Sequence, residues 1–327
     1  MTNQNPIQKI GYSLLLLAMS ANSSPLAAQS RLVKTTISYR SVDGHSVLAD
    51  VHRPDGDAVC PVLVWIHGGA LIMGNREEIH PQIRSLAEEM GYALVSIDYR
   101  LAPETKLPEL IGDIEAAFQW LATDGASRFR LDVKRVVVTG GSAGGYLTLV
   151  TGYRARPRPK ALVAFYGYGG LTGDWYMQPS PHPAHNPRIV TLDEARKQSD
   201  GTIVSDARRR KGNGGLIYLH YRQQGIWPRE VSGFREDQLV ERIAEFEPVR
   251  HVTAEFPPTF LMHGTKDTDV PFEESKAMAR QLERHKVPHE LKPIDNGEHG
   301  FGGGDPEQIE AAYRTMRDFV VRHLRQP

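Results

Sequence analysis

Gly140-Gly141-Ser142-Ala143-Gly144-Gly145 follows directly on Arg135-Val136-Val137-Val138-Thr139. A branched apolar run that ends in a glycine-crowded turn holds its single serine at the apex of a strand-to-helix bend. There the glycines let the chain turn and leave room for a substrate, and the hydroxyl can act as a nucleophile. The same residues could instead form a plain tight connection. A phosphate-cradling loop fits poorly. The Gly-x-Gly-x-x-Gly spacing is absent, and no Lys-Ser or Lys-Thr follows. A serine nucleophile needs a base, an acid that orients the base, and donors for an oxyanion.

Other segments offer these partners. Val62-Leu63-Val64-Trp65-Ile66 reads as a strand buried on both faces and opens into His67-Gly68-Gly69-Ala70. A glycine pair at a strand end exposes backbone N–H groups able to hold a negative oxygen. A second apolar run, Thr259-Phe260-Leu261-Met262, opens into His263-Gly264-Thr265-Lys266-Asp267-Thr268-Asp269-Val270-Pro271. Two aspartates compete there for the acid's role, and one of them could cap the helix after Pro271. The candidate base is His299, in the glycine-rich Asn296-Gly297-Glu298-His299-Gly300-Phe301. His263 is its rival, but it precedes the acid and fits better as a residue that shapes the turn.

Together these motifs resemble the α/β-hydrolase-fold serine esterases, and among them the hormone-sensitive-lipase-like carboxylesterases. The matching segments are His67-Gly68-Gly69-Ala70, Asp98-Tyr99-Arg100-Leu101-Ala102-Pro103-Glu104, the Ser142 turn, His263-Gly264-Thr265-Lys266-Asp267 and His299-Gly300-Phe301. The resemblance implies a Ser142–His299–Asp267 triad, with Asp267 rather than Asp269 as the acid. It also implies an oxyanion hole made by the N–H groups of Gly68, Gly69 and Ala143, and no cofactor or metal. Two positions depart from the pattern. Ala70 stands where a third glycine is common, and Gly141 where an acidic residue is common.

The elements needed to position these groups can be read along the chain. Residues 34–40 and 45–52 alternate around Asp43-Gly44, which predicts a hairpin. Strands and helices then alternate, with helices expected over 77–90 and 108–122 and a last helix with Ile309, Tyr313, Met316, Phe319 and Val320 on its inner face. Alternation of this kind predicts an α/β fold with a mostly parallel central sheet and helices on both faces, its active groups at the carboxyl ends of the strands. Pro293 would place the strand near residues 290–294 at an edge. Residues 170–250 break the rhythm and read as a cap inserted over the site. Trp175 and Trp227 are its candidate substrate-pocket walls, and Arg208-Arg209-Arg210-Lys211 reads as a solvated helix face. Asp98 and Arg100 read as a buried structural pair.

Composition narrows the function classes. Thirty-nine basic and 39 acidic side chains cancel, which argues against nucleic acid as a partner. The single cysteine, Cys60, excludes an intramolecular disulfide. Lys9 precedes an apolar stretch with Leu14-Leu15-Leu16-Leu17, and small residues follow through Ala27-Ala28. This is the layout of a signal peptide over residues 1–28, and its apolar run, Ile10–Ala21, is too short for a membrane span of about 20 residues. The expectation is a secreted or periplasmic domain over 29–327, without a membrane anchor once the signal is removed. It would cleave small, short-chain carboxylic esters. A peptidase or acyltransferase with the same triad, or a binding protein on the same scaffold, are the alternatives.

Overall fold

The computed structural model describes residues 31–325, so the leader expected at 1–28 lies outside the described residues. The strands are β1 (Leu32–Val42), β2 (His45–Pro54), β3 (Cys60–Ile66), β4 (Ala93–Ile97), β5 (Leu131–Gly141), β6 (Ala161–Phe165), β7 (Thr259–Gly264) and β8 (His289–Ile294). They form one sheet in the order β1-β2-β4-β3-β5-β6-β7-β8. β2 pairs antiparallel with both β1 and β4, and the remaining pairs are parallel. Asp43 and Gly44 both take positive φ, which closes the opening hairpin with the twist its strands require. β8, with Pro293, lies at the sheet edge, where a missing N–H costs no ladder bond.

Period-two burial divides the core into two layers. On β3, Val62, Val64 and Ile66 face one layer and Leu63 and Trp65 the other. The first layer is covered by the helices Leu107–Trp120, Ala143–Arg154 and Phe272–Arg284, and the second by Pro81–Met90 and Pro306–Arg325. The first of these second-layer helices begins later than the sequence pattern suggests. Pro81 occupies its first turn, and the His80 ring caps it by accepting from Gln82 N–H.

Between Phe165 and Thr259 the chain leaves the sheet. It forms short helices, of which Gly215–Gln224 and Trp227–Ser232 are the longest. Two features here depart from the sequence reading. The 208–211 run is solvated at Arg208, Arg209 and Lys211 but not at Arg210. Arg210 is buried and bonds Glu104 and the Ala102 carbonyl, while Arg208 pairs with Asp206 and Glu77. Asp98 and Arg100 are buried but do not pair with each other. Asp98 binds Arg76, and Arg100 binds Asp113 through two bonds. Burial pushes the Asp98 carboxyl up to about 6 despite the Arg76 contacts.

The helix after Ser142 approaches β3 so closely that a Cβ on Gly144 would stand 2.0 Å from the Ile66 carbonyl oxygen. Both atoms are backbone, so neither can swing aside. Gly144→Ala is therefore expected to cost about 3 kcal/mol or more. Gly302→Ala, at a negative φ with open space around it, should cost little. Denaturant midpoints for the two variants check this, and equal midpoints would contradict it.

Candidate active site

The carboxyl ends of five parallel strands bring the chemistry-bearing groups together. β5 ends at Gly141 and the next helix begins at Ala143, leaving Ser142 alone at the bend with φ 56° and ψ −123°. Such a conformation is costly for a residue with a side chain, by on the order of 1–3 kcal/mol. It is held by Ser142 N–H donating to the Phe165 carbonyl on β6, and by the Ser142 carbonyl accepting from Tyr146 N–H. Among the described residues the Ser142 hydroxyl has no hydrogen-bond partner. It opens on a cavity of about 370 Å³ lined by Gly68, Gly141, Tyr166, Trp65 and His80 among others.

β3 delivers the glycine loop. A Cβ on Gly68 would lie 3.3 Å from the Ser142 Cβ, so this loop borders the hydroxyl directly. Gly69 has φ 106°, and its carbonyl accepts from Ile72 and Met73 N–H, which curls the loop back on itself. Ala70, where the resembled pattern has glycine, sits in the left-handed region at φ 55°. Its carbonyl accepts from Trp227 Nε1 at 3.1 Å. His67 stacks on Tyr99 with centroids 4.3 Å apart, and burial pushes its pKa down to about 4, so its ring is neutral. Among the described residues the N–H groups of Gly68, Gly69 and Ala143 donate to nothing. They are unspent donors around one hydroxyl.

β7 and β8 deliver the acid and the base. His299 Nδ1 lies 2.7 Å from Asp267 Oδ2. The Asp267 side chain is fully buried, and its Oδ1 accepts from Asp269 and Val270 N–H at 3.0 and 2.8 Å. His263 Nε2 lies 3.2 Å from Asp267 Oδ2 and 2.9 Å from the Val270 carbonyl. Both neighbours are acceptors, so that nitrogen carries the proton, and His263 helps hold the acid. Burial alone raises the Asp267 carboxyl. The bonds from His263 and His299 more than offset this and leave it below the ordinary value. Burial also favours the neutral His299 ring, but the carboxylates of Asp267 and Asp269 outweigh it and raise its pKa.

Asp269 does not cap the following helix, whose first turn has no side-chain cap. Its Oδ1 accepts from Tyr218 Oη, from Arg222 Nη1 at 3.0 Å and from His185 Nε2 at 3.0 Å, all three on the cap segment. Its Oδ2 lies 3.8 Å from His299 Nε2. Tyr166, just past β6, packs edge-on against His299 with centroids 4.7 Å apart. The sequence reading missed Tyr166 and the donors to Asp269. Only the position of Tyr166 at a strand's carboxyl end could have signalled it.

The two tryptophans differ. Trp175 is half-buried, donates to Glu274 Oε1 at 3.1 Å and lines a cavity of about 460 Å³ beside Asp267, Thr268 and Arg222. Trp227 is completely buried and stacked on Tyr176, so it walls no pocket and instead supports the Ala70 turn. A fully apolar environment around its ring, with one satisfied N–H, favours this inward position. A cavity of about 700 Å³ beside the 205–211 segment includes none of Ser142, Asp267 or His299. Among the described residues no three His, Cys, Asp or Glu side chains gather to hold a metal.

A family model described as alpha/beta hydrolase fold matches residues 63–211, which carry the Gly68 loop and Ser142. A model of the prolyl oligopeptidase family matches residues 216–327, which carry Asp267 and His299. The chain is an α/β hydrolase by fold. Solved structures similar to this hydrolase include a protein of unknown function from Staphylococcus aureus. It is 22% identical with a TM-score of 0.71, over 89% of this chain and 99% of that one. Another is the native esterase Est2 of Thermogutta terrifontis, 21% identical with a TM-score of 0.59, over 91% and 94%. Curated relatives include the non-reducing polyketide synthase Preu3 of Preussia isomera, 27% identical over 87% of this chain and 13% of that protein. The 5-methylorsellinic acid synthase of Aspergillus terreus is 28% identical over 92% and 14%. The hydrolase thus corresponds to a small part of those relatives' length.

The burial of Trp227 yields a test. Trp227→Ala is expected to cost about 3–5 kcal/mol of stability by chemical denaturation. It should also lower rates on short and long esters together, because it loosens the Ala70 turn. A shift in chain-length preference at unchanged stability would show that the ring reaches the substrate after all.

Proposed function

We propose that this hydrolase cleaves small, soluble carboxylic esters through Ser142, His299 and Asp267, and that it does so after export. The observation that carries the reading is one constellation. An unpartnered hydroxyl on a strained bend borders free backbone donors, and a buried carboxylate lies 2.7 Å from the imidazole of His299.

In this reading Ser142 Oγ attacks the ester carbonyl while His299 Nε2 takes its proton. The carbonyl oxygen becomes an oxyanion held by the N–H groups of Gly68, Gly69 and Ala143. His299 then passes the proton to the alkoxy oxygen as the C–O bond breaks, leaving an acyl-enzyme. Water, deprotonated by the same imidazole, releases the acid and restores Ser142. Asp267 fixes the imidazole tautomer with Nδ1–H bound and Nε2 free to act. The modest volume of about 370 Å³ beside Ser142 supports short acyl groups, and the signal-like pattern of residues 1–28 supports export.

A peptidase reading draws on the match of residues 216–327 to the prolyl oligopeptidase family. Esters of p-nitrophenol graded in acyl length, with an aminoacyl anilide as control, separate the two. The ester reading expects the highest kcat/KM on the shortest acyl groups and little anilide turnover. Preference for the anilide or for emulsified long-chain triglyceride would overturn it. Ser142→Ala should lose on the order of 10⁴–10⁶ in turnover while remaining folded. Asp267→Asn should lose on the order of 10⁴, and Asp269→Asn far less on a simple ester.

The pH profile follows from the electrostatics of His299. The ring must be neutral to accept the Ser142 proton. Burial and Arg222 oppose its cation, but two carboxylates stabilise it and hold its pKa above the ordinary imidazole value. Activity should therefore fall as pH drops, with a midpoint above about 6.5 in kcat/KM. A midpoint below that value would contradict the arrangement.

A further inference from the structure

Asp269 is a carboxylate beside His299 that the proposed triad does not use. Three donors from the cap saturate its Oδ1: Tyr218 Oη, Arg222 Nη1 and His185 Nε2. They fix the side chain in one orientation. Its Oδ2 accepts no hydrogen bond among the described residues, and the side chain remains 26% exposed. The result is a rigid anion with one free acceptor oxygen. It stays ionised, because the histidines and Arg222 outweigh the cost of burial and lower its pKa.

The position of that oxygen is informative. Oδ2 lies 3.8 Å from His299 Nε2. Nε2 is the atom that must deliver a proton to the departing alkoxy oxygen, which therefore comes within about 3 Å of it. A hydroxyl on the carbon adjacent to the one that bears the ester oxygen then falls within reach of Asp269 Oδ2. Beside it, the cavity of about 460 Å³ lined by Trp175, Arg222 and Thr268 offers room for a ring-sized alcohol. A cationic leaving group fits less well, because Arg222 already balances the Asp269 charge.

We propose that Asp269 selects the leaving group, accepting a hydrogen bond from a second hydroxyl of the alcohol, so that the preferred substrates are esters of polyhydroxylated alcohols such as sugars or glycerol. This rests on the esterase reading above and narrows it. A carboxylate acceptor for a neutral hydroxyl discriminates by about tenfold or more between alcohols with and without that group. Asp269→Asn is a sharp probe. The amide oxygen can still accept from the three cap donors, but an NH₂ group then replaces the acceptor facing His299.

The test compares cyclohexyl acetate with the monoacetate of cyclohexanediol, whose two oxygens sit on adjacent carbons. The purified protein is assayed at the alkaline plateau of its pH profile. The wild type is expected to favour the hydroxylated ester by roughly tenfold in kcat/KM, and Asp269→Asn to bring the ratio near one. Equal wild-type rates on the two esters would overturn the proposal and need no variant. So would a variant that slows both esters equally and keeps the ratio, since Asp269 would then act only on His299. If the wild type hydrolyses neither ester nor any p-nitrophenyl ester, the esterase reading itself falls.

Discussion

The site depends on how closely the Ser142 helix can approach the sheet. A serine at positive φ is unfavourable on its own, and it persists only where the surroundings leave no other path. The surroundings here are backbone. Gly144 lies against the Ile66 and His67 carbonyls on one side, and Gly145 against Gly167 on the other. With that helix wedged between β3 and β6, the chain must turn sharply at Ser142, and its hydroxyl is lifted off the sheet. The same closeness sets the Gly68 loop beside the serine, because both leave neighbouring parallel strands at the same register, with Ile66 opposite Gly140.

Local chemistry made much of this legible in the sequence. Branched apolar runs ending in glycine turns mark β3 and β5, and the Asp43-Gly44 turn marks the hairpin. The mostly parallel sheet follows from the alternation of elements, whereas the strand order does not. The start of the helix near Pro81 was harder to read, since the preceding polar residues carry no signal against helix. The cap was legible only as an interruption. Its contacts join residues far apart in sequence: Arg222 with Asp269, Arg210 with Glu104, and the Leu171 and Thr172 N–H groups with Glu247. No periodicity records such pairings. A buried arginine and a solvated one look alike in a basic run, so sequence does not single out Arg210, and a core tryptophan such as Trp227 looks like one that walls a pocket.

The loop after β7 shows how neighbouring residues of one type acquire different roles. Asp267 and Asp269 are two positions apart and both lose protons easily, for different reasons. Asp267 is enclosed, and its oxygens are occupied by two N–H groups and two imidazoles. It can orient His299 but cannot meet a substrate. Asp269 has one oxygen tied to the cap and one left free. Its N–H is itself a donor to Asp267, so the two carboxylates are mechanically coupled through the backbone.

That coupling links the 170–250 segment to the Asp267–His299 pair. Tyr218 and Arg222 lie on one turn of the helix Gly215–Gln224, and the guanidinium of Arg222 also rests near the rings of Trp175 and Tyr176. Tyr176 in turn stacks on Trp227, which holds the Ala70 carbonyl of the loop after β3. One aromatic and guanidinium stack thus runs from the loop after β7 to the glycine loop after β3. An insertion that merely covered the sheet end would not need its polar groups to be satisfied by these two loops. Here they are. The cap therefore fixes the relative position of β3 and β7 loops that the sheet alone anchors only at their roots.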